Sequence, residues 1–431
     1  MAVKLKKGAP RPLAEAPPDG RWLTEQYLEV RRRTEALCAP LGVEDYVVQS
    51  MPDASPVKWH LAHTSWFFET FVLTAARPAY RPFCTAYAYL FNSYYNAVGE
   101  RLPRPRRGLL TRPTVEEVTR YRRHVDEQMT DFLTEAEEEK LSQLGPTVVL
   151  GLHHEQQHQE LLLTDVKHLF SCNPLRPVYR PRPDDPDGAA APLDWAVYPA
   201  GVRWVGHPGG GFAFDNESPR HCAIVGAFRL ATRPATNGEY LAFIAEGGYE
   251  RPDLWLSDGW NARCREGWQA PLYWEKAGDQ WQGFTLAGLR PLEDAEPVCH
   301  VSYYEADAFA RWAGARLATE AEWETAAAGL PVEGNLLDNG RLHPAADAGS
   351  GVRQLFGDVW EWTASPYTAY PRYRPAAGAL GEYNGKFMCN QFVLRGGSCA
   401  TPRTHIRRSY RNFFPPEARW QFSGVRLAQD A

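Results

Sequence analysis

Six prolines between residues 172 and 192, in CNPLRPVYRPRPDDPDGAAAP, divide this chain into two stretches of different texture. Proline fixes φ and removes a backbone donor, so neither a helix nor an inner strand crosses such a segment. Residues 172–193 therefore read as a linker. Before it, apolar residues recur at helical spacing over Thr24 to Leu37 and over Val57 to Ala76, behind an Asp53-Ala54-Ser55-Pro56 turn. Pro113-Thr114 opens a third helix ending near Ala136, and Pro146 opens a fourth running to about Phe170. Four helices within residues 20–171 predict a bundle with a buried seam. After the linker, over 194–431, short β-like runs such as WAVYPAGVRWVGH mix with glycines. Helices are expected there at Asn237–Ala245, Tyr304–Trp312 and Glu320–Ala327. The fold class is α, then α+β.

Composition narrows the function. Lys+Arg 47 against Asp+Glu 52 gives a net charge of −5, without the basic excess that nucleic acid demands. No apolar run approaches the roughly 18 residues of a membrane span. The N-terminal MAVKLKKGAPRPLAEAPPDG has lysines but no apolar stretch behind them, so no secretory signal is expected and the protein reads as cytoplasmic. Its eight cysteines lie far apart with no CxxC pair, which predicts free thiols rather than a zinc ribbon or disulfide scaffold.

The sharpest local signal is His154-Glu155-Gln156-Gln157-His158. Residues four apart share one helix face, so His154 and His158 are placed to hold one metal. Read literally, this is the H-E-x-x-H string of zinc peptidases, with Glu155 as general base. That reading needs a third ligand downstream, and no H-x-x-G-x-x-H extension follows. The second helix offers His60 and His63, three apart and also neighbours on one face. One of them with His154 and His158 gives an all-histidine triad in a bundle core, with open coordination positions. Imidazole ligation suits zinc, copper, nickel or iron.

The segments SPVKWHLAHTSWFFETF (55–71) and HHEQQHQE (153–160) resemble the ergothioneine-biosynthesis sulfoxide synthases, the EgtB family. So does the second half, through FDNESPRH (214–221), PVCHVSYYEADAFARWAGARLATEAEWE (297–324) and GDVWEWTAS (357–365). LRGGSCA (394–400) and RNFFPPEARWQFSGVRLA (411–428) complete the pattern. The family joins a DinB-like four-helix bundle to a lectin-like domain similar to the formylglycine-generating enzyme. On this resemblance residues 20–171 are the bundle and 194–431 the second domain.

The resemblance implies iron(II) held by His63, His154 and His158, with His63 chosen over His60. It implies a reaction in which O2 drives the sulfur of cysteine or γ-glutamylcysteine onto C2 of hercynine, leaving a sulfoxide. Gln157 matches the glutamine that hydrogen-bonds the hercynine imidazole. Tyr94 or Tyr95 stands for the phenol that donates to oxygen beside the iron. Among Arg101, Arg104, Arg106 and Arg107, Arg104 and Arg107 are the candidates to grip the thiol substrate's carboxylate. Asn412, Phe413 and Phe414 border the substrate pocket, where aromatic faces suit a quaternary ammonium. Members using γ-glutamylcysteine tend to carry an acid about where Phe414 stands, so this chain resembles the cysteine-using type. Asp358 and backbone carbonyls of the GDVWEW region are candidate ligands for a structural calcium ion, which borders this region in some relatives. The paired catalytic cysteines of the formylglycine-generating enzyme have no counterpart, since Cys389 and Cys399 fall elsewhere. Alternatives are an ovothiol-type synthase, whose family normally carries a further methyltransferase domain, a zinc hydrolase using His154 to His158, and a non-catalytic lectin-like binding module.

Overall fold

Asp19 starts the first helix by accepting from Trp22 N at 2.7 Å. Thr114 and Glu117 cap another reciprocally, each side chain satisfying the other's backbone N–H. In the computed structural model, which describes residues 19–182 and 188–431, four long helices result. They are α1 (Gly20–Cys38), α2 (Val57–Phe68), α3 (Val115–Glu135) and α4 (Glu138–Cys172). From α2 the helical chain widens through a π turn at Glu69–Leu73 and ends at Ala76. The N-terminal segment read as lacking a signal lies outside the described residues except for its last two, and the linker lies partly outside them.

Pro146 does not open the fourth helix; it sits inside α4. Its ring leaves the Ser142 carbonyl without the usual donor, and both residues are exposed, so water takes the donor's place. Leu23, Tyr27, Phe67, Val125, Met129, Val148 and Leu162 fill the bundle's interior. Within this apolar interior lies an ion cluster. Glu155 of α4, fully buried, accepts from Arg31 Nη1 at 2.8 Å, Arg122 Nη2 at 2.7 Å and Thr34 Oγ1 at 2.7 Å. Arg31 continues to Asp126 Oδ1 at 2.6 Å and Ser65 Oγ at 2.9 Å, so all four helices contribute.

Beyond the linker the chain is α+β. One antiparallel sheet runs Trp195–Tyr198, Phe228–Ala231, Leu427–Asp430, Arg316–Leu317 in spatial order. A second runs Asn412–Phe414, Phe392–Arg395, Trp360–Pro366, Ser423–Gly424, its last pair parallel. Phe414, Phe413 and Asn412 lie opposite Phe392, Val393 and Leu394, which makes Asn412–Phe414 an edge strand. Behind it a buried ion cluster anchors the chain, with Arg411 Nε 2.9 Å from Glu320 Oε2 and Arg395 Nη2 2.9 Å from Glu324 Oε2. Helices form at Asn237–Ala245, Tyr303–Trp312 and Glu320–Ala326, as the sequence predicts to within a residue. A fourth, Ser257–Glu266, lacks an apolar face. It packs closely on the neighbouring helix through Gly259, where a Cβ would lie 2.7 Å from Tyr304 Cβ. The bundle core continues into this half through Phe284, Cys299, Val359, Cys399 and Phe422. Among the described residues no helix is long and apolar enough to cross a membrane.

Burial pushes the Glu155 carboxyl up, but the charges of Arg122 and Arg31 outweigh it and hold it at about 2. A depressed folded pKa contributes stability above the unfolded value of 4.5, lost as pH falls through about 2. The parent chain should therefore lose about 3 kcal/mol of unfolding free energy over that window through this group. Glu155→Ala should cost about 3–5 kcal/mol at neutral pH, since two guanidiniums stay buried without their anion. Urea unfolding at pH 7, and along a series from pH 5 to 2, measures both.

Candidate metal centre and substrate cavity

Helices α2 and α4 meet closely because Gly151 has no side chain. A Cβ there would stand 2.5 Å from Phe68 Cε1 and 2.8 Å from Phe67 Cε1. Just beyond this contact His63 Nε2 lies 3.1 Å from His154 Nε2. One nitrogen each from His63, His154 and His158 falls within 4.8 Å of the others. Trp59 stacks on the His63 ring with centroids 4.5 Å apart.

Hydrogen bonds behind His63 and His158 fix which of their nitrogens are bare, whereas His154 Nδ1 has no partner among the described residues. His63 Nδ1 lies 2.6 Å from the Phe91 carbonyl, so it carries the hydrogen and leaves Nε2 as a lone pair. A two-step relay does the same for His158. Asp165 Oδ2 accepts from Ser55 N at 2.8 Å and from His60 Nε2 at 3.0 Å. His60 is then bare on Nδ1, which accepts from His158 Nδ1 at 2.8 Å. The Nε2 of His158 remains free for a metal. Burial and then the neighbouring histidines hold His63 and His158 well below the ordinary imidazole range, and burial holds His154 at about 4. Three neutral imidazoles, with the bare nitrogens of His63 and His158 fixed by their hydrogen bonds, fit a divalent transition metal. His60 stands behind this set, as a support.

The triad faces a cavity of about 260 Å³ between the bundle and the second half. Gln157, Tyr94, Tyr95, Arg104, Arg107, Asn412, Phe413 and Phe414 all line it. Gln157 Nε2 donates to the Tyr410 hydroxyl at 2.7 Å. Tyr94 Oη lies 3.5 Å from Arg104 Nη1. The Tyr95 ring packs against Trp66, Phe67 and Phe71. Arg107 is buried, stacks 3.3 Å above the Trp59 ring, and donates to Ser55 Oγ and Ser93 Oγ. Neither Arg104 nor Arg107 has a carboxylate partner among the described residues, unlike most buried cations of this chain. Arg101 turns to the Ser93 carbonyl, and Arg106 is exposed.

Two expectations are corrected. Glu155 is spent on Arg31 and Arg122 and does not reach the cavity, so it is no general base for a hydrolase. Asp358 is ringed by donors rather than acceptors: Asn335 Nδ2 at 2.7 Å, Ala345 N at 2.9 Å and Gln354 Nε2 at 3.0 Å. A carboxylate so enclosed does not fit calcium, which needs several oxygen ligands. Sequence reasoning also overlooked Glu160, Trp360, Tyr383, His405 and Tyr410 in the cavity wall. Glu160, two residues beyond His158, carried a detectable signal; the others are brought in by long-range packing.

Residues 26–162 match the DinB superfamily, and residues 197–347 and 342–431 match the sulfatase-modifying factor enzyme 1-like domain. Hercynine oxygenase of Mycolicibacterium thermoresistibile is 32% identical over 95% of this chain and 94% of its own. The chain belongs to the hercynine oxygenase family. The hercynine oxygenase of Mycolicibacterium smegmatis is 32% identical, covering 89% of this chain and 92% of that one. Ergothioneine biosynthesis protein 1 of Schizosaccharomyces pombe is 30% identical over 51% of this chain and 28% of its own. Membership in the hercynine oxygenase family makes this chain an oxidoreductase.

Replacing His63, His154 or His158 by Ala should abolish stoichiometric metal binding while leaving the helical circular dichroism intact. His60→Ala keeps all three ligands and loses the relay, so its affinity for iron(II) should fall about 10–100-fold. Competition with a chromophoric chelator under argon measures both.

Proposed function

We propose that this chain is an iron(II)- and O2-dependent sulfoxide synthase of ergothioneine biosynthesis, joining the sulfur of free cysteine to C2 of hercynine. The observation that carries the reading is three neutral histidines facing a cavity whose walls complement both substrates. Bound iron(II) would supply a redox-active centre for O2 and thiolate, which zinc, without an accessible redox couple, does not. All eight cysteines are unpaired, which suits a reducing compartment, and we place the enzyme in the cytoplasm.

Hercynine carries a trimethylammonium group, a carboxylate and an imidazole. Phe413, Phe414, Trp360 and Trp420 give an aromatic wall for the ammonium. Glu160 adds a negative charge with no basic partner among the described residues: it accepts from Ser398 Oγ at 2.5 Å, Thr401 Oγ1 at 2.6 Å and Trp360 Nε1 at 2.8 Å. Burial pushes its carboxyl up, and a bound cation would bring it down again. Gln157 stands next to His158 for the imidazole. On the bundle side Arg104 and Arg107 suit the carboxylate of the thiol substrate. Phe414 offers nothing polar to a γ-glutamyl arm, and that favours free cysteine.

A thiolate and O2 at one metal have a simpler outcome than C–S coupling, namely a sulfinic acid. A hydroxyl hydrogen held at the reacting atoms is the device that steers away from it. Tyr95 makes no hydrogen bond through its hydroxyl to the described protein, and burial pushes its phenol far up, keeping it protonated. Tyr94 has only the long contact to Arg104.

With equimolar cysteine and γ-glutamylcysteine in one reaction, mass spectrometry should find mainly the cysteine sulfoxide; a dominant γ-glutamyl product refutes the donor assignment. Tyr94→Phe or Tyr95→Phe keeps the ring and removes the hydroxyl, a loss worth about 2.7–4 kcal/mol at a catalytic site. At least one of these variants should still consume O2 while raising the ratio of cysteine sulfinic acid to sulfoxide. An unaltered ratio in both, and in the double variant, removes the two phenols from the branch point.

A further inference from the structure

The phenol oxygen of Tyr410 is gripped from two sides. Gln157 Nε2 donates to it at 2.7 Å, and His405 Nε2 lies 3.0 Å away. His405 Nδ1 in turn lies 3.0 Å from His153 Nδ1, and His153 Nε2 is buried without a partner among the described residues. This row of four side chains runs from the cavity wall back to α4 and leaves through the interior. The rings are fixed in place. His153 stacks on Phe212 with centroids 3.9 Å apart and planes 11° from parallel, and the Arg407 guanidinium lies 4.9 Å above Tyr410.

The unpartnered nitrogen decides where every hydrogen in the row sits. A buried N–H with no acceptor is rarer and costlier than a bare ring nitrogen. His153 Nε2 is therefore bare, its hydrogen is on Nδ1, and it donates to His405 Nδ1. His405 must then carry its hydrogen on Nε2, where it donates to Tyr410. Two N–H donors now occupy the phenol oxygen's lone pairs. The hydrogen of Tyr410 has one direction left, into the cavity. Gln157 has committed its amide nitrogen to Tyr410, so its oxygen faces the ligand as an acceptor.

We propose that Tyr410 is a hydrogen-bond donor to the substrate bound beside Gln157, and that His405, backed by His153, is its positioning residue. Side by side, the Gln157 oxygen and the Tyr410 hydroxyl present one acceptor and one donor. An N-protonated imidazole bearing a nearby carboxylate satisfies both at once. The identity of the ligand rests on the function proposed above; the direction of the hydrogen does not.

Calorimetry with hercynine on the metal-loaded, O2-free protein reads the contact. Tyr410→Phe should weaken binding about three- to tenfold, the loss of one neutral hydrogen bond. His405→Met should lose the same factor, and His405→Gln, whose amide N–H reaches the place of Nε2, should recover most of it. The double variant Tyr410→Phe/His405→Met should bind no worse than Tyr410→Phe alone. Unchanged affinity in Tyr410→Phe overturns the donor role, and additive losses in the double variant overturn the positioning role. Neutron diffraction from deuterated crystals is independent of any substrate. It should place deuterium on His153 Nδ1, on His405 Nε2 and on Tyr410 Oη pointing into the cavity; deuterium on Oη directed at His405 overturns the proposal. A parent protein that shows this pattern yet binds no hercynine faults the substrate and leaves the hydrogen-bond row standing.

Discussion

Glu155 holds Arg31 and Arg122 in the dry interior of the bundle, and the rotation of α4 follows from that ion triad. Successive residues on a helix point about 100° apart. Once the side chain of Glu155 is committed to the bundle interior, the directions of His154 and His158 are no longer free. The same carboxylate reaches α1 and α3 directly and α2 through Arg31 and Ser65, so it also sets the separation of α2 from α4. Buried ion pairs contribute little net stability, because desolvation offsets most of the attraction. What this one contributes is register: no slide or roll of α4 keeps both guanidiniums paired.

The remaining faces of α4 are spent on the second half. Gln156 donates to Thr404, Gln157 to Tyr410, and Glu160 accepts from Ser398, Thr401 and Trp360. Further along, Lys167 Nζ lies 2.6 Å from His300 Nε2. A single helix thus carries the structural ion, two histidines of the three-histidine cluster and part of the cavity wall. The division of labour has a chemical logic. The bundle supplies a rigid cluster of three histidines, and the edge strand Asn412–Phe414 and the turn after Arg395 supply a wall of aromatic and polar groups.

Much of this was legible from one sequence. The i, i+4 spacing of His154 and His158 is a local fact, and local facts survive folding. So did the helix starts at Thr114 and Val57, where a capping threonine or a turn precedes the apolar run. Pro146 misled because its cost depends on exposure of the carbonyl four residues earlier, a tertiary property. Periodicity alone left His60 and His63 equivalent, and the resemblance chose between them. In the structure the Phe91 carbonyl and Asp165 sort them, both far away in sequence. Tyr410 and His405 were invisible for the same reason, because their partners sit on a helix some 250 positions earlier.

The strand Leu427–Asp430 lies between Phe228–Ala231 and Arg316–Leu317 and pairs with both. Its neighbours are made long before it, so during synthesis they wait with open edges for a segment not yet available. Pairings between such distant segments are slow to form, because closing a long loop costs entropy before any contact rewards it. The bundle's last helix ends at Cys172, before any strand of this sheet is made, so it can assemble first, with the polar side of α4 still wet. The three-histidine cluster need not wait for the sheet, whereas the cavity wall must. A bundle with an unfinished second half would then be an ordinary stage in the life of this chain, a window in which His63, His154 and His158 stand open to solvent before their wall arrives.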